Sequence, residues 1–443
     1  MLSISFNMSS QTGNTNYGTN ALSNISSGDY NAAFGYQSLE NNTSGSHNTA
    51  LGVSALRTQT SGDYNTALGN FALYTNSSGY SNVGIGYYSL FTNTGNGNTA
   101  VGVRSLQENT TADYNTAFGY YSLRYNTTGS LNVAVGYLSL EDNTEGSYNT
   151  GIGYGALKNN TTTNYNVAVG YLALGGNSTG YWNTAVGSYA LYNNNTLGSS
   201  AFGYLALYNN TTGYYNDAFG FSSLQNNTSG YYNTAFGSQA LQENLTGVYN
   251  SAFGRSALRQ NNGHKNIAVG MLSLANLTSG NNNTALGYMA YASASDATNQ
   301  TVIGYQADGQ ADNSVVLGNS DVTAVYMAED SGATIYAGNA TFNGDVVIQS
   351  DARLKSNIVS LGSTLNKLLQ IDGKSYEMKG KQKIGVLAQE IQEVFPELVT
   401  EDGNEMLAVN YQGLVPVLIN ALKEQQSEID ELKEMVQKLM NTK

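Results

Sequence analysis

The sequence predicts a mainly β molecule: a trimeric parallel β-roll, or solenoid, of 17-residue coils, then a β neck, then a small α+β domain ending in a trimeric coiled coil. Three observations lead there. One glycine recurs along most of the chain, at Gly18, Gly35, Gly52, Gly69, Gly86, Gly102 and onward to Gly304, with a step of 17 residues that shortens to 16 three times. The composition breaks at residue 350, since the first 349 residues hold 24 charged side chains and the last 94 hold 25. The chain closes on an apolar 4-3 spacing at Leu418, Leu422, Gln425, Ile429, Leu432, Val436 and Leu439.

The repeats come first. A fixed short period marks a solenoid, whose units hold only by stacking on one another. The unit reads Tyr-Asn-Thr-Ala-Phe-Gly-Tyr-x-Ser-Leu-x-x-Asn-Thr-Ser-Gly. A large apolar residue precedes the glycine (Phe34, Leu51, Leu68), a small one precedes that (Ala33, Ala50, Ala67), and leucine follows four later (Leu39, Leu56, Leu73). Seventeen residues are too few for a helix pair but suit two short strands and two turns, with Asn, Ser and Gly supplying the turn chemistry. Stacked coils repeat every ~4.8 Å, so Leu, Phe/Val and Asn form ladders, and eighteen coils span roughly 85 Å. The expected core is thin, one large apolar residue and one leucine per coil. The row of Ala beside the row of Phe/Val then points to close approach by another backbone, hence to three rolls side by side. The expected division is 1–304 for the coils, 305–349 for the neck, and 350–443 for the last domain with its coiled coil at about 411–441.

Composition excludes several classes. There is no cysteine, and the two histidines, His47 and His264, both lie among the repeats, so no metal site and no cofactor is expected. A net charge of −13 without a basic stripe argues against nucleic acid. No run approaches the ~18 apolar residues of a membrane span, and residues 1–7 lack the pattern of a signal peptide, so neither membrane insertion nor export is expected. The coils show no paired carboxylates, which argues against glycan cleavage.

The repeats resemble the heads of trimeric bacterial adhesins and some phage fibres, where Asn-Ser-Val-Ala-Ile-Gly-like coils form a left-handed parallel β-roll. The nearest match is Asn313-Ser314-Val315-Val316-Leu317-Gly318. Those repeats are typically shorter than these.

In the last domain, Ser350-Asp351-Ala352-Arg353-Leu354-Lys355 is followed by Ile384–Leu398, Val409-Asn410-Tyr411 and Leu414–Glu424. In that order and spacing these segments resemble the endosialidase-type intramolecular chaperone domain of phage tailspikes and tail fibres. The resemblance implies a domain that trimerises the chain, assists folding of the β-rich part and then cuts itself off. It implies scission at Gln349–Ser350, with Ser350 as nucleophile and Lys355 completing a Ser-Lys dyad. The residues agree: with no His or Cys in this domain, a serine nucleophile needs another base, and lysine serves if burial lowers its pKa. Positions five apart on a helix point ~140° away from each other, so the pair must meet through a non-helical turn or across subunits. Asp351 and Arg353 are either a local salt bridge that shapes the loop or direct participants. In the closing helix, three heptads with Gln425 at a core position favour self-association over packing on the domain itself.

The resemblance implies a homotrimeric phage tail fibre or host-attachment fibre, expected in the virion after assembly in the host cytoplasm. Its expected partners are two further copies, other tail or fibre proteins and a host surface receptor, with glycan as the candidate class. The receptor candidates are aromatics recurring five before the glycine: Tyr148, Tyr165, Trp182, Tyr215 and Tyr232. Such rows can stack on sugar rings, although the plainer reading is that they stack on each other. Two alternatives stand beside the fibre, a bacterial surface adhesin and an ice-binding solenoid. Thr49, Thr66, Thr99 and Thr116 invite the latter, and Val83, Val133 and Val167 interrupt it.

Overall fold

The computed structural model describes residues 12–327, 340, 346, 350–378, 380–401 and 405–442. Gln349 and most of the expected neck beyond residue 327 lie outside the described residues. The chain divides into two compact units, Met1–Gly332 and Ala333–Lys443, and each is described by itself.

The first unit is a parallel solenoid. Nineteen strands of three residues, from β1 (Thr15–Tyr17) to β19 (Val315–Leu317), form one sheet. Each pairs with the strand one coil later, as in Thr15↔Ala32 and Val167↔Thr184. The ladder runs past Gly304, with Thr301↔Val315 as its last step.

Each coil carries one strand, not the two expected. The rest of the circuit is turned by residues in left-handed backbone conformation: in the coil after Gly35 these are Gln37, Leu39 and His47, with φ of 57°, 47° and 58°. Non-glycine residues there cost of order 1 kcal/mol each. Neighbouring coils hold them in place. Leu39 N–H donates to Ala55 O at 2.9 Å, Thr43 N–H to Thr60 O at 3.0 Å, and His47 N–H to Asp29 O at 2.9 Å. The coils are therefore hydrogen-bonded around the circuit, although one side alone is a strand.

The core also differs from the expectation. Side chains of a strand alternate between faces, and here the middle residue, Ala33, Ala50 or Ala67, points inward and is fully buried with Leu39, Leu56 and Leu73. The large apolar residue before the glycine faces outward: Phe118 is 55% exposed and Leu51 48%. The cause lies within one chain. At Gly151, which replaces the alanine, an added Cβ would sit 2.7 Å from Ser139 Oγ and 3.3 Å from Leu140 Cγ. The Ala156 carbonyl, at 3.1 Å, closes the same space, so groups of the chain itself keep this position small.

Two buried asparagine ladders complete the interior. In the first, Asn48 N–H donates to Asn31 Oδ1 at 3.0 Å and Asn48 Nδ2 donates to Gly62 O at 2.8 Å. In the second, Asn126 Nδ2 donates to Asn109 Oδ1 at 2.7 Å and to Gly129 O at 2.8 Å. Buried polar groups are tolerable only when paired, and the ladders pair them along the roll, with a break at Asn244 Oδ1, which has no partner among the described residues. The recurring glycine has its own reason. At Gly220, φ is +136° and a Cβ would meet the Gly237 carbonyl at 2.6 Å. The 16-residue coils lose their residue in the Asn-to-Gly turn, where Asn93 Nδ2 reaches Gly95 O two residues on instead of three. The sheet stays in register through them, Val83↔Thr99.

The second unit is a small α+β fold: α1 (Leu365–Leu368), the antiparallel pair β20 (Lys374–Met378) and β21 (Lys381–Gly385), α2 (Ala388–Val394), the pair β22 (Val399–Glu401) and β23 (Leu407–Val409), and the 28-residue α3 (Leu414–Asn441). Ile391, Phe395, Leu398 and Val417 form its core, with Leu368, Val386 and Leu414 packed against it. Pro416 sits in the first turn of α3, where its missing N–H costs no helical bond. Only Val417 and Ala421 of α3 are buried.

Candidate active site

Ser350 and Lys355 are brought together by one 3₁₀ turn, Ala352–Leu354. Asp351 starts it: its carboxylate accepts from Arg353 N–H at 2.8 Å, and the Arg353 guanidinium closes on the same group at 2.6 Å. The hydrogen bonds from the Arg353 side chain, then its backbone N–H, hold the Asp351 carboxyl below the usual aspartate range. Lys355 ends the turn in an extended conformation, φ −117° and ψ 144°. Its side chain returns along the turn, and Nζ donates to Ser350 Oγ at 2.6 Å. Of the two routes the sequence leaves open, this is the turn within one chain. Both side chains are exposed in the single chain.

The segment after Lys355 runs exposed to residue 363, where α3 catches it. Glu424 accepts from Ser363 Oγ at 2.7 Å, Thr364 N–H at 2.6 Å and Leu365 N–H at 3.2 Å, and Thr364 Oγ1 donates to Val417 O at 3.0 Å. These donors, the Ser363 hydroxyl foremost, hold the Glu424 carboxyl below the usual glutamate range. Glu424 is missing from the sequence reading. Ser363-Thr364 ahead of Leu365 is a recognisable helix start, but nothing local says that a carboxylate sixty residues on completes it.

Glu424 adjoins Gln425, one of the seven seam positions on α3. Leu418, Leu422, Ile429, Leu432, Val436 and Leu439 are exposed, so the apolar seam is uncovered in the single chain.

The receptor candidates lie in the roll, and all five have left-handed backbones. Tyr148 and Tyr165 stack with centroids 4.9 Å apart at 9°, and Tyr215, Tyr232 and Tyr249 continue at 5.4 Å per step. Ring faces in these stacks cover one another. Trp182 meets Tyr181 at a tilt, 6.3 Å away, and is 61% exposed.

Residues 350–400 match the Peptidase_S74 family, the chaperone of endosialidase. The chain therefore carries, over residues 350–400, a chaperone of endosialidase domain. It is also homologous to phage long tail fibre proteins. It is 35% identical over 146 residues to the long tail fiber protein Gp37 of Enterobacteria phage K3, covering 27% of this chain and 12% of that protein. It is 34% identical over 151 residues to Gp37 of Enterobacteria phage T2, covering 28% and 11%. With Gp37 of Enterobacteria phage Ox2 the figures are 31% over 137 residues, 28% and 53%. The chain thus spans about a tenth of the first two relatives and about half of the third.

Proposed function

We propose that this chain is a homotrimeric phage tail fibre, whose roll forms the shaft and whose C-terminal domain is a trimerising chaperone that cuts itself off at Gln349–Ser350. The observation that carries the proposal is the 2.6 Å approach of Lys355 Nζ to Ser350 Oγ at the start of the chaperone match. In this mechanism neutral Lys355 takes the Ser350 hydroxyl proton, and Oγ attacks the Gln349 carbonyl carbon. The Gln349–Ser350 C–N bond breaks, and the departing amine takes the proton back. The resulting ester is hydrolysed by water, leaving the Gln349 carboxylate and a new N-terminus at Ser350. The atoms balance the same way whether the carbonyl belongs to the same chain or a neighbour. A lysine acts as a base when burial disfavours its charged form. The single chain leaves Lys355 exposed, so in this reading neighbouring chains supply the burial and cleavage follows assembly. Asp351 and Arg353 shape the turn, occupied with one another. The receptor is a host-surface molecule, with Tyr148, Tyr165, Trp182, Tyr215 and Tyr232 as candidate contacts and Trp182 the most accessible of the five.

Intact-mass analysis of the purified chain beside Ser350→Ala and Lys355→Met is the test. The wild type is expected to split between 349 and 350, Ser350→Ala, which has no nucleophile, to remain whole, and Lys355→Met to cleave about 10²–10⁴-fold more slowly, the usual contribution of a general base. A wild type that stays whole under conditions where it assembles would overturn the self-cleavage.

A further inference from the structure

The outer face of the solenoid sheet carries one apolar row from end to end, beside a second row that is mostly Thr and Ser. At the third position of each strand from Phe34 to Leu317 stands Phe, Leu, Ile or Val, and at the first a small or β-branched residue in every strand but one, which has Asp217. That aspartate is the one charge in the nineteen strands. The outward row is substantially exposed, for example Phe236 at 40% and Leu286 at 49%. Phe202, Phe219, Phe236 and Phe253 stack along it at 4.7, 4.3 and 5.5 Å.

We infer that this face is the contact between copies of the chain, with the Phe/Val/Leu row turned toward the axis of the assembly and the asparagine-rich turns outward. The inference rests on the trimer reading above and assigns the surface that reading left open. Area supports it: eighteen steps of ~4.8 Å by a strand of about 10 Å give roughly 850 Å² per chain, against the ~800 Å² per partner of a stable interface. The apolar row takes about half of that face, and a contiguous exposed apolar strip of a few hundred Å² marks an interaction site. Charge supports it too. The chain carries a net −13, yet two copies meeting on this face bring almost no charge together. The period selects the occupant. Another copy has the same coil spacing, so side chains that interdigitate at one coil do so at all of them, whereas a partner of any other period drifts out of step. The 16-residue coils do not disturb this, because their missing residue lies in the turn and the strand ladder keeps register.

The chain has no cysteine, so a single introduced one reports without background. The full chain is made as Phe236→Cys, on the sheet face, and as Ser229→Cys, on an exposed turn, and treated with a short bismaleimide while its mass in solution is measured by sedimentation. Leu286→Cys repeats the readout should Phe236→Cys misfold. The expected result is a trimer in which the sheet-face cysteines crosslink and Ser229→Cys does not. A trimer that crosslinks through Ser229→Cys and not through either sheet-face position overturns the assignment while the trimer stands. A monomer removes both.

Discussion

A single repeat position can matter because its bonds are shared by two coils. Asn149 Oδ1 accepts from Asn166 N–H at 3.0 Å, and Asn149 Nδ2 donates to Thr163 O at 2.7 Å, all of them buried. Asn149→Ala strands the Asn166 N–H, at ~1–3 kcal/mol, and takes one of two bonds from Thr163 O, which keeps Asn160 Nδ2 at 3.1 Å. Thermal unfolding should register a loss of roughly 1–3 kcal/mol, while Ser229→Ala on the exposed turn stays within about 0.5 kcal/mol; equal effects would mean the ladders do not hold the coil. Gly220→Ala should also destabilise, by more than ~1 kcal/mol, since φ is +136° and the Gly237 carbonyl lies where the Cβ would go. These positions were legible because recurrence at one spacing survives any error about the fold. Their direction was not. Hydrophobicity put Phe34 and its equivalents inside, but a coil this narrow, already filled by leucine and asparagine, takes alanine or glycine at the middle of nearly every strand, with Val302 the largest residue buried there.

Among the elements, α3 does two things the heptad pattern alone does not separate. Its first turns bury Val417 and Ala421 in the small domain, and the seam beyond is exposed. Between them Glu424 ties down Ser363, Thr364 and Leu365. Its carboxyl is held low, so the sign is fixed. The contribution is complete above the ordinary glutamate pKa of about 4.3 and fades as pH falls through the lower folded value. Acid unfolding of the chaperone unit should therefore lose this step in Glu424→Gln, which is expected to be less stable than wild type at pH 7 and to converge with it in strong acid. Curves that stay parallel across that range would remove the carboxylate from the account. The strands and helices of this unit were readable as order and spacing, as was the proline in the first turn of α3. The Glu424 bond was not, because a tertiary contact sixty residues long leaves no periodic trace. The Ser350–Lys355 geometry was readable only as a choice between a turn and a subunit contact, and in the single chain the 3₁₀ turn capped by Asp351 brings the pair together.

For the whole molecule, the proposed cleavage has to follow assembly. Each coil holds several left-handed residues that its neighbours must stabilise, so the first coil has nothing to lean on and the roll is costly to start. Identical coils also allow pairing one coil out of step at little penalty, and such chains are prone to aggregate while unfinished. A trimeriser at the C-terminal end would set stoichiometry first, and its removal afterwards would leave the fibre kinetically trapped. That order demands that an unassembled chain not cut itself, although Ser350 and Lys355 already touch in one chain. Leu422→Ser with Leu432→Ser separates the possibilities, since both residues are exposed seam positions outside the domain core and leave the 3₁₀ turn untouched. Sedimentation should show the trimer lost, and intact mass should show full-length chain accumulating uncut. Cleavage at the wild-type rate in that monomer would mean that the turn is sufficient by itself, and the burial of Lys355 by neighbouring chains would no longer be needed to explain it.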